Sequence, residues 1–243
     1  MCVNYKQSIH RRKNIIFAKY NEIMVLKKFV KEIAMKPLIL IGGGGHCMSV
    51  IEAAESAGRT IAGILDCPDL IGSEVSGYRI IGTDDDIQRY AAECEFIVTV
   101  GSIKSAEKRR ILFNRIMNAG AVPAIVIAST AYVSGRAHIG PGTVVLHHAT
   151  VNAGATIGEN CIINTAANVE HNVTVGAHTH ISTGAMVNGD ARIGSCSFIG
   201  SGAVIANGIS IASGSVIGAA AAVITDITLP GTYIGIPARP LSE

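Results

Sequence analysis

Every sixth residue from Ile127 to Val223 is Ile or Val, at seventeen positions out of seventeen. Few patterns leave a chain so little choice of fold. From Ala131 onward the residue two places earlier is Ala, Ser, Thr or Cys in fourteen of sixteen cases, the exceptions being Val173 and Ile209. Residues two apart share a face of a strand, so each hexad sends one β-branched and one small side chain to the same side. A helical period explains none of this. Gly follows the Ile or Val at 140, 158, 176, 194, 200 and 218, the first four spaced by eighteen. A corner every six residues and a coil every eighteen describe a triangular prism of short parallel strands, stacked ~4.8 Å apart. Burying each Ile or Val contributes roughly 1.5–3 kcal/mol, so the repeat supplies its own core.

Residues 37 to about 125 follow a different rule. An apolar run, Leu38 to Ile41, leads into Gly42-Gly43-Gly44-Gly45-His46, and 48–57 then reads as a helix closed by Gly58. Further strands are expected over 61–65, 96–100 and 122–127, with helices over 84–94 and 106–119 between them. This alternation implies a parallel sheet with ligand loops at the carboxyl ends of its strands. Unobstructed amides at a helix N-terminus can approach a phosphate closely, which makes Gly43, Gly44, Gly45 and His46 candidate ligand contacts. Asp66, about twenty residues on, is placed to accept from a ribose hydroxyl. Cys47 stands where a dinucleotide fingerprint has its third Gly, so a nucleotide-diphosphate ligand is favoured over a dinucleotide and over a bare tight turn.

A length of 243 residues suits two domains, one at 37–125 and one at 126–243. The net charge of +2 is uneven: residues 1–36 hold nine Lys or Arg against two Glu, leaving eleven basic and sixteen acidic residues, −5, in the remainder. That body offers no electrostatic reason to bind nucleic acid. Residues 1–36 are read as an extension outside the functional fold, with Met35 a natural start, in preference to an amphipathic membrane helix. No apolar run approaches the ~18 residues of a membrane span. The six Cys show no C-x-x-C spacing, which argues for reduced thiols in a cytoplasm and against a zinc knuckle.

The hexad resembles that of the left-handed β-helix acyltransferases. More narrowly, the Ile41-to-His46 turn, the run Asn164-Thr165-Ala166-Ala167-Asn168-Val169-Glu170-His171, then His180-Ile181-Ser182 and the ending Gly235 to Arg239 resemble the sialic acid O-acetyltransferase and UDP-4-amino-sugar N-acetyltransferase family, over residues 35–241. This resemblance implies a left-handed coil. It also implies an acetyltransferase that moves an acetyl group from acetyl-CoA to an amino or hydroxyl group of a sugar, nucleotide-activated or of sialic acid type. Side-by-side homotrimers with acetyl-CoA between neighbouring prisms belong to the same expectation. Residues 231–239 would fold over the cosubstrate, with Ala238 and Arg239 near its nucleotide end.

His171 lies two residues after an inward Val and should face outward, where a neutral imidazole can take a proton from an attacking amine or hydroxyl. One coil later stands Gly189, whose backbone N–H can donate to the developing oxyanion. The resemblance gives these two residues the same roles, and has His180 contact acetyl-CoA or the substrate. Relatives usually carry an acid directly after the base; this chain has Asn172, so either the base is less basic or Glu170 supplies the charge. With no Cys or Ser nucleophile placed beside His171 in the motif, direct transfer in a ternary complex is expected. Asn172 also motivates the rival reading, a non-catalytic nucleotide-binding or scaffold protein that kept the prism. The γ-class carbonic anhydrases use the same prism with zinc, but within the hexad half no two His are five or thirty-six residues apart, so no metal is expected.

Overall fold

The computed structural model describes residues 35–103 and 105–241, so the N-terminal extension, up to residue 34, lies outside the described residues. At the centre of the first region is β1 (Leu38–Ile41), every residue of it buried. It pairs in parallel with β2 (Ile61–Leu65) and with β5 (Glu95–Val98). Outside these lie β4 (Tyr78–Gly82), parallel to β2, and β6 (Val122–Pro123), parallel to β5. β3 (Glu74–Val75) closes one edge antiparallel to β4, giving the order β3-β4-β2-β1-β5-β6. Two twelve-residue helices, α1 (Gly45–Ser56) and α3 (Glu107–Asn118), flank the sheet, and the short α2 (Ile87–Tyr90) precedes β5.

Three details differ from the sequence expectation, each for a local reason. The helix expected over 84–94 is cut short. Thr83 and Asp86 form a reciprocal capping box around the 3-10 turn Asp84–Asp86, and only α2 follows. The β3–β4 hairpin turns through Ser76 and Gly77, both at positive φ (47° and 83°), the conformation a tight two-residue hairpin requires. The strand expected over 122–127 is two strands. Ala124 N bonds to Phe96 O in the sheet, whereas Val126 N bonds to Thr143 O, so the chain passes here from one sheet into the next.

From Val126–Ile127 to Ala222–Val223 the chain makes a two-residue strand at each hexad, and neighbouring strands eighteen residues apart pair in parallel. Three sheets result, and the whole is a left-handed parallel β-helix. Every hexad Ile or Val from Val145 to Val223 is buried in one core. The first three, Ile127, Val133 and Ile139, are half-buried, because no coil lies beneath them. Buried small residues complete the interior, and hydroxyls among them donate to backbone carbonyls, as Thr143 does to Gly158 O (2.9 Å) and Thr179 to Gly194 O (3.0 Å). A buried hydroxyl left without such a partner would be costly.

The corners obey a second period. From Gly142 to Ala220, the third residue after each inward position is left-handed, with φ between 52° and 76°. Asn160, Asn172, Asp190, His148 and His178 stand at such corners, which these residue types tolerate better than β-branched ones. The segment Thr232–Ile234 then pairs with Val216–Ile217, and Arg239–Pro240 pairs back upon it, capping the last coil.

The outward residues Val126, Val144 and Ile162 form an apolar column eighteen apart, and they are buried together with Cys47, Val50 and Ile51 of α1. Deeper in the junction sits Arg109 of α3, only 1% exposed. Its guanidinium donates to the carbonyls of Val98 (2.6 Å) and Val100 (3.1 Å) beside β5, and of Asn160 (3.1 Å) and Gly142 (3.4 Å) in the prism. Burial lowers its pKa to about 10, which still leaves it charged at neutral pH. Among the described residues, no helix is long and apolar enough to cross a membrane.

A Cβ at Gly176 would lie 2.5 Å from Ser195 N, a backbone atom of the next coil, whereas one at Gly135 meets open space. Gly176→Ala is therefore expected to cost about 1–3 kcal/mol and Gly135→Ala less than about 0.5. Thermal melts check this; equal melting temperatures would contradict the packing. Arg109→Met, which strands several buried carbonyls at about 1–3 kcal/mol each, should lower urea stability by at least about 3 kcal/mol. A loss under about 1 kcal/mol would contradict the junction's role.

Candidate functional site

Polar residues gather at two places: the carboxyl end of the parallel sheet where it meets the prism, and one prism corner. At the sheet, Gly42 has φ +105°, and a Cβ there would collide with Val100, so the turn needs a glycine. Gly43 N donates to Asp66 Oδ2 at 2.5 Å, and Cys67 N donates to Asp66 Oδ1 at 2.7 Å. Burial acts to raise the Asp66 carboxyl, but the Gly43 and Cys67 N–H groups outweigh it and hold the group below its ordinary value. The Gly43 amide is thus engaged by a carboxylate from within the chain. Gly44 and Gly45 are exposed, with nothing within 4 Å of where a Cβ would be, so a ligand can approach that backbone closely.

A cavity of about 220 Å³ opens beside this turn, lined by Asp66, Thr83, Asp84, Lys108 and Arg115 among others. The capping box at Thr83 and the outer face of α3 bring these charges to Asp66, a convergence that no local spacing announces. A second cavity, about 460 Å³, lies on the prism side of the same turn, lined by His46, Gly101, Ile103, Asn164, His180, Ser182 and Phe198 among others.

His46 and His180 face one another with ring centroids 6.4 Å apart. His180 stands on the column continuing Val144 and Ile162, and Phe198 packs edge-on above it at 5.2 Å. Its Nδ1 donates to Ser102 O at 2.7 Å, and its Nε2 accepts from Asn164 Nδ2 at 3.0 Å. These partners assign the tautomer and anchor the loop after β5. Burial lowers the His180 pKa to about 4. Burial, followed by the charge of Arg109 and then of His180, lowers that of His46 to about 3. Among the described residues, the buried Nε2 of His46 has no hydrogen-bond partner. Two neutral imidazoles therefore border the cavity, and only that of His46 has a ring nitrogen left over for a ligand.

The other group lies at a different corner. His171 is exposed, and its ring rests on Gly189: a Cβ there would come within 2.5 Å of both Cε1 and Nε2. Asp190 N donates to His171 O at 3.0 Å, fixing the backbone beneath the ring. Glu170 accepts from Asn152 and Asn168, each at 3.0 Å. The Asn172 amide runs along the corner column, with Nδ2 donating to Asp190 Oδ1 at 3.2 Å and Oδ1 over Gly154. His171, Glu170, Asn172 and Gly189 are thus brought together, as are His46, His180 and the glycine turn. Neither cavity is lined by His171. Ala238 and Arg239 lie in the cap of the prism, where Ala238 N bonds to Ala222 O (2.8 Å) and Arg239 is exposed. Among the described residues, no three His, Cys, Asp or Glu side chains converge as a metal set would.

Sequence reasoning missed Arg109, Lys108 and Arg115, and named Asn164 within the family motif without giving it a role. Of the three missed, Arg109 had a local signal, since it shares the buried stripe of Leu112, Phe113 and Ile116 on α3.

Residues 37–116 match the family model described as the PglD N-terminal domain. The acetyltransferase domain of PglB from Neisseria gonorrhoeae is 35% identical, with a TM-score of 0.78 over 85% of this chain and 100% of that one. The same domain in complex with acetyl coenzyme A gives 34% identity and a TM-score of 0.79, over 86% of this chain and all of the other. PerB from Caulobacter crescentus, in complex with CoA and GDP-perosamine, is 29% identical with a TM-score of 0.79, over 86% and 99% of the two chains. No curated protein matches the chain.

His46 and His180 are neutral in the folded protein, while an unfolded His takes up a proton near 6.5. Stability from this pair is therefore complete above about 6.5, drains as the pH falls, and is lost by about 4 for His180 and about 3 for His46. Melting temperatures between pH 7 and pH 4 should fall less steeply in His180→Gln than in the wild type. Parallel curves would contradict burial of a neutral His180.

Proposed function

The chain belongs to the left-handed β-helix, hexapeptide-repeat sugar acetyltransferases and is an acyltransferase, and from that premise we propose that it transfers an acetyl group from acetyl-CoA to the amino group of a nucleotide-linked sugar. The PerB complex with GDP-perosamine supports both the amine and the nucleotide as the acceptor's chemistry. His171 is the general base, and the observation that carries this reading is its exposed ring packed against Gly189 through Cε1 and Nε2. In that geometry one side chain takes the acceptor's proton while the adjacent Gly189 amide serves the thioester carbonyl.

The step is a direct attack in a ternary complex. The acceptor nitrogen bonds to the thioester carbon, its proton passes to His171, and the C–S bond breaks with its electron pair leaving on sulfur. Asp66 receives the ribose hydroxyls in the smaller cavity, Gly44 and Gly45 admit the diphosphate, and the sugar reaches past His46 into the larger one. Asp66 also holds the Gly43 amide, so that amide is not offered to the diphosphate. Residues 37–125 thus hold the nucleotide and residues 126–243 carry the acetyl transfer, with residues 1–36 taking no part.

His171 and the larger cavity occupy different corners of one prism. A complete site therefore needs two copies side by side, with His171 of one copy facing the cavity of the next, and a homotrimer closes that arrangement. His180 then acts by holding the loop at Ser102 against the substrate cavity, and Ala238 and Arg239 approach the nucleotide end of acetyl-CoA. Both substrates are cytoplasmic metabolites, which puts the enzyme in the cytoplasm.

Thiol release from acetyl-CoA should be seen with UDP-, GDP- or dTDP-linked amino sugars in preference to free sialic acid. His171→Ala should lower kcat by at least about 100-fold. Activity of that variant within twofold of the wild type would end the assignment of the base, and silence across the whole panel would favour a non-catalytic nucleotide-binding protein.

A further inference from the structure

Glu170 sits directly before the proposed base, and its carboxylate is held in an unusual way. Asn152, one coil below, donates through Nδ2 to Oε2 at 3.0 Å. Asn168, two residues earlier on the same face of the strand, donates through Nδ2 to Oε1 at 3.0 Å. Each oxygen is thus fixed by a neutral amide. Among the described residues, Glu170 takes part in no ion pair. A cation would fix the carboxylate equally well but would also cancel its field. The Asn168 amide first, then that of Asn152, together with the His171 N–H and ring, holds Glu170 below the usual glutamate range despite partial burial. Asn172 is committed elsewhere, to Asp190 and to the space over Gly154.

We propose that Asn152 and Asn168 are positioning residues that lock the Glu170 carboxylate, ionised and stationary, beside His171, where it stabilises the imidazolium formed as the acceptor's proton is taken. This rests on His171 being the base. As the new bond to the thioester carbon forms, the proton moves from the acceptor to the imidazole, and a positive charge appears at one edge of the ring. A carboxylate already in place meets that charge without reorganising, which is where fixed groups gain over mobile ones. Once sulfur has left as thiolate, the imidazolium returns its proton to it, and the pair is reset.

The test is a double-mutant cycle on kcat and on KM for acetyl-CoA. Asn152→Leu and Asn168→Leu remove the donors while keeping side-chain size. Each should lower kcat roughly tenfold with KM within about twofold. In a Glu170→Gln background the same substitutions should cost less than about twofold, because the charge they hold is already gone. Asn152→Ser and Asn168→Ser carry the same expectation should the Leu variants fold poorly. An equal loss of kcat in both backgrounds, or a raised KM with kcat kept, overturns the positioning role and leaves His171 untouched. Wild-type turnover in His171→Ala instead overturns the reading on which the proposal stands.

Discussion

In the prism, residue i lies beneath residue i + 18, and the polar chemistry of its corners follows from that vertical register. Thr150 pairs with Asn168 and Asn168 with Met186 without a slip. The register stacks Asn152 under Glu170, His171 under Gly189, and Gly154, Asn172 and Asp190 in a single left-handed column. Inward Ile and Val residues keep it in place, since a shift of one residue would turn each of them out to solvent. The His171 ring at such a corner is backed by the backbone of the coil above, at Gly189.

The second constraint is the junction. Arg109 uses a full charge to satisfy carbonyls from two regions of the chain, and no carboxylate offsets it among its hydrogen-bond partners. That buried charge also lies close enough to depress the pKa of His46 and His180. One structural residue therefore joins the sheet to the prism, and its charge adds to burial, the larger cause, in keeping the cavity's imidazoles neutral. The imidazole proposed for proton transfer is the exposed one at another corner.

The prism was legible because seventeen positions repeat one physical demand, burial of a β-branched side chain at period six. The glycines after those positions were visible too, and their reason is close backbone approach: Gly158 faces Ala177 and Gly194 faces Ser213. The left-handed corners were not, because Gly, Asn, Asp, His, Cys and Ala all fill them and composition alone does not mark the period. The grouping of His171, Glu170 and Gly189 followed from counting eighteen. His180 with Ser102 did not, since seventy-eight residues separate the partners and only the packing of the loop after β5 brings them together. The glycine turn was read correctly as strand, turn and helix. The occupant of its Gly43 amide depended on a side chain twenty-three residues away.

In the proposed mechanism the exposed imidazole at position 171 meets the acceptor amine across a seam between two copies of the chain. A crystal structure with CoA and a nucleotide-linked amino sugar tests it most directly. The amine nitrogen is expected within about 2.6–3.2 Å of a His171 ring nitrogen, with the CoA sulfur beside Gly189 and the nucleotide held by the neighbouring copy. Both ligands bound with His171 facing bulk solvent at every corner of the assembly would contradict it.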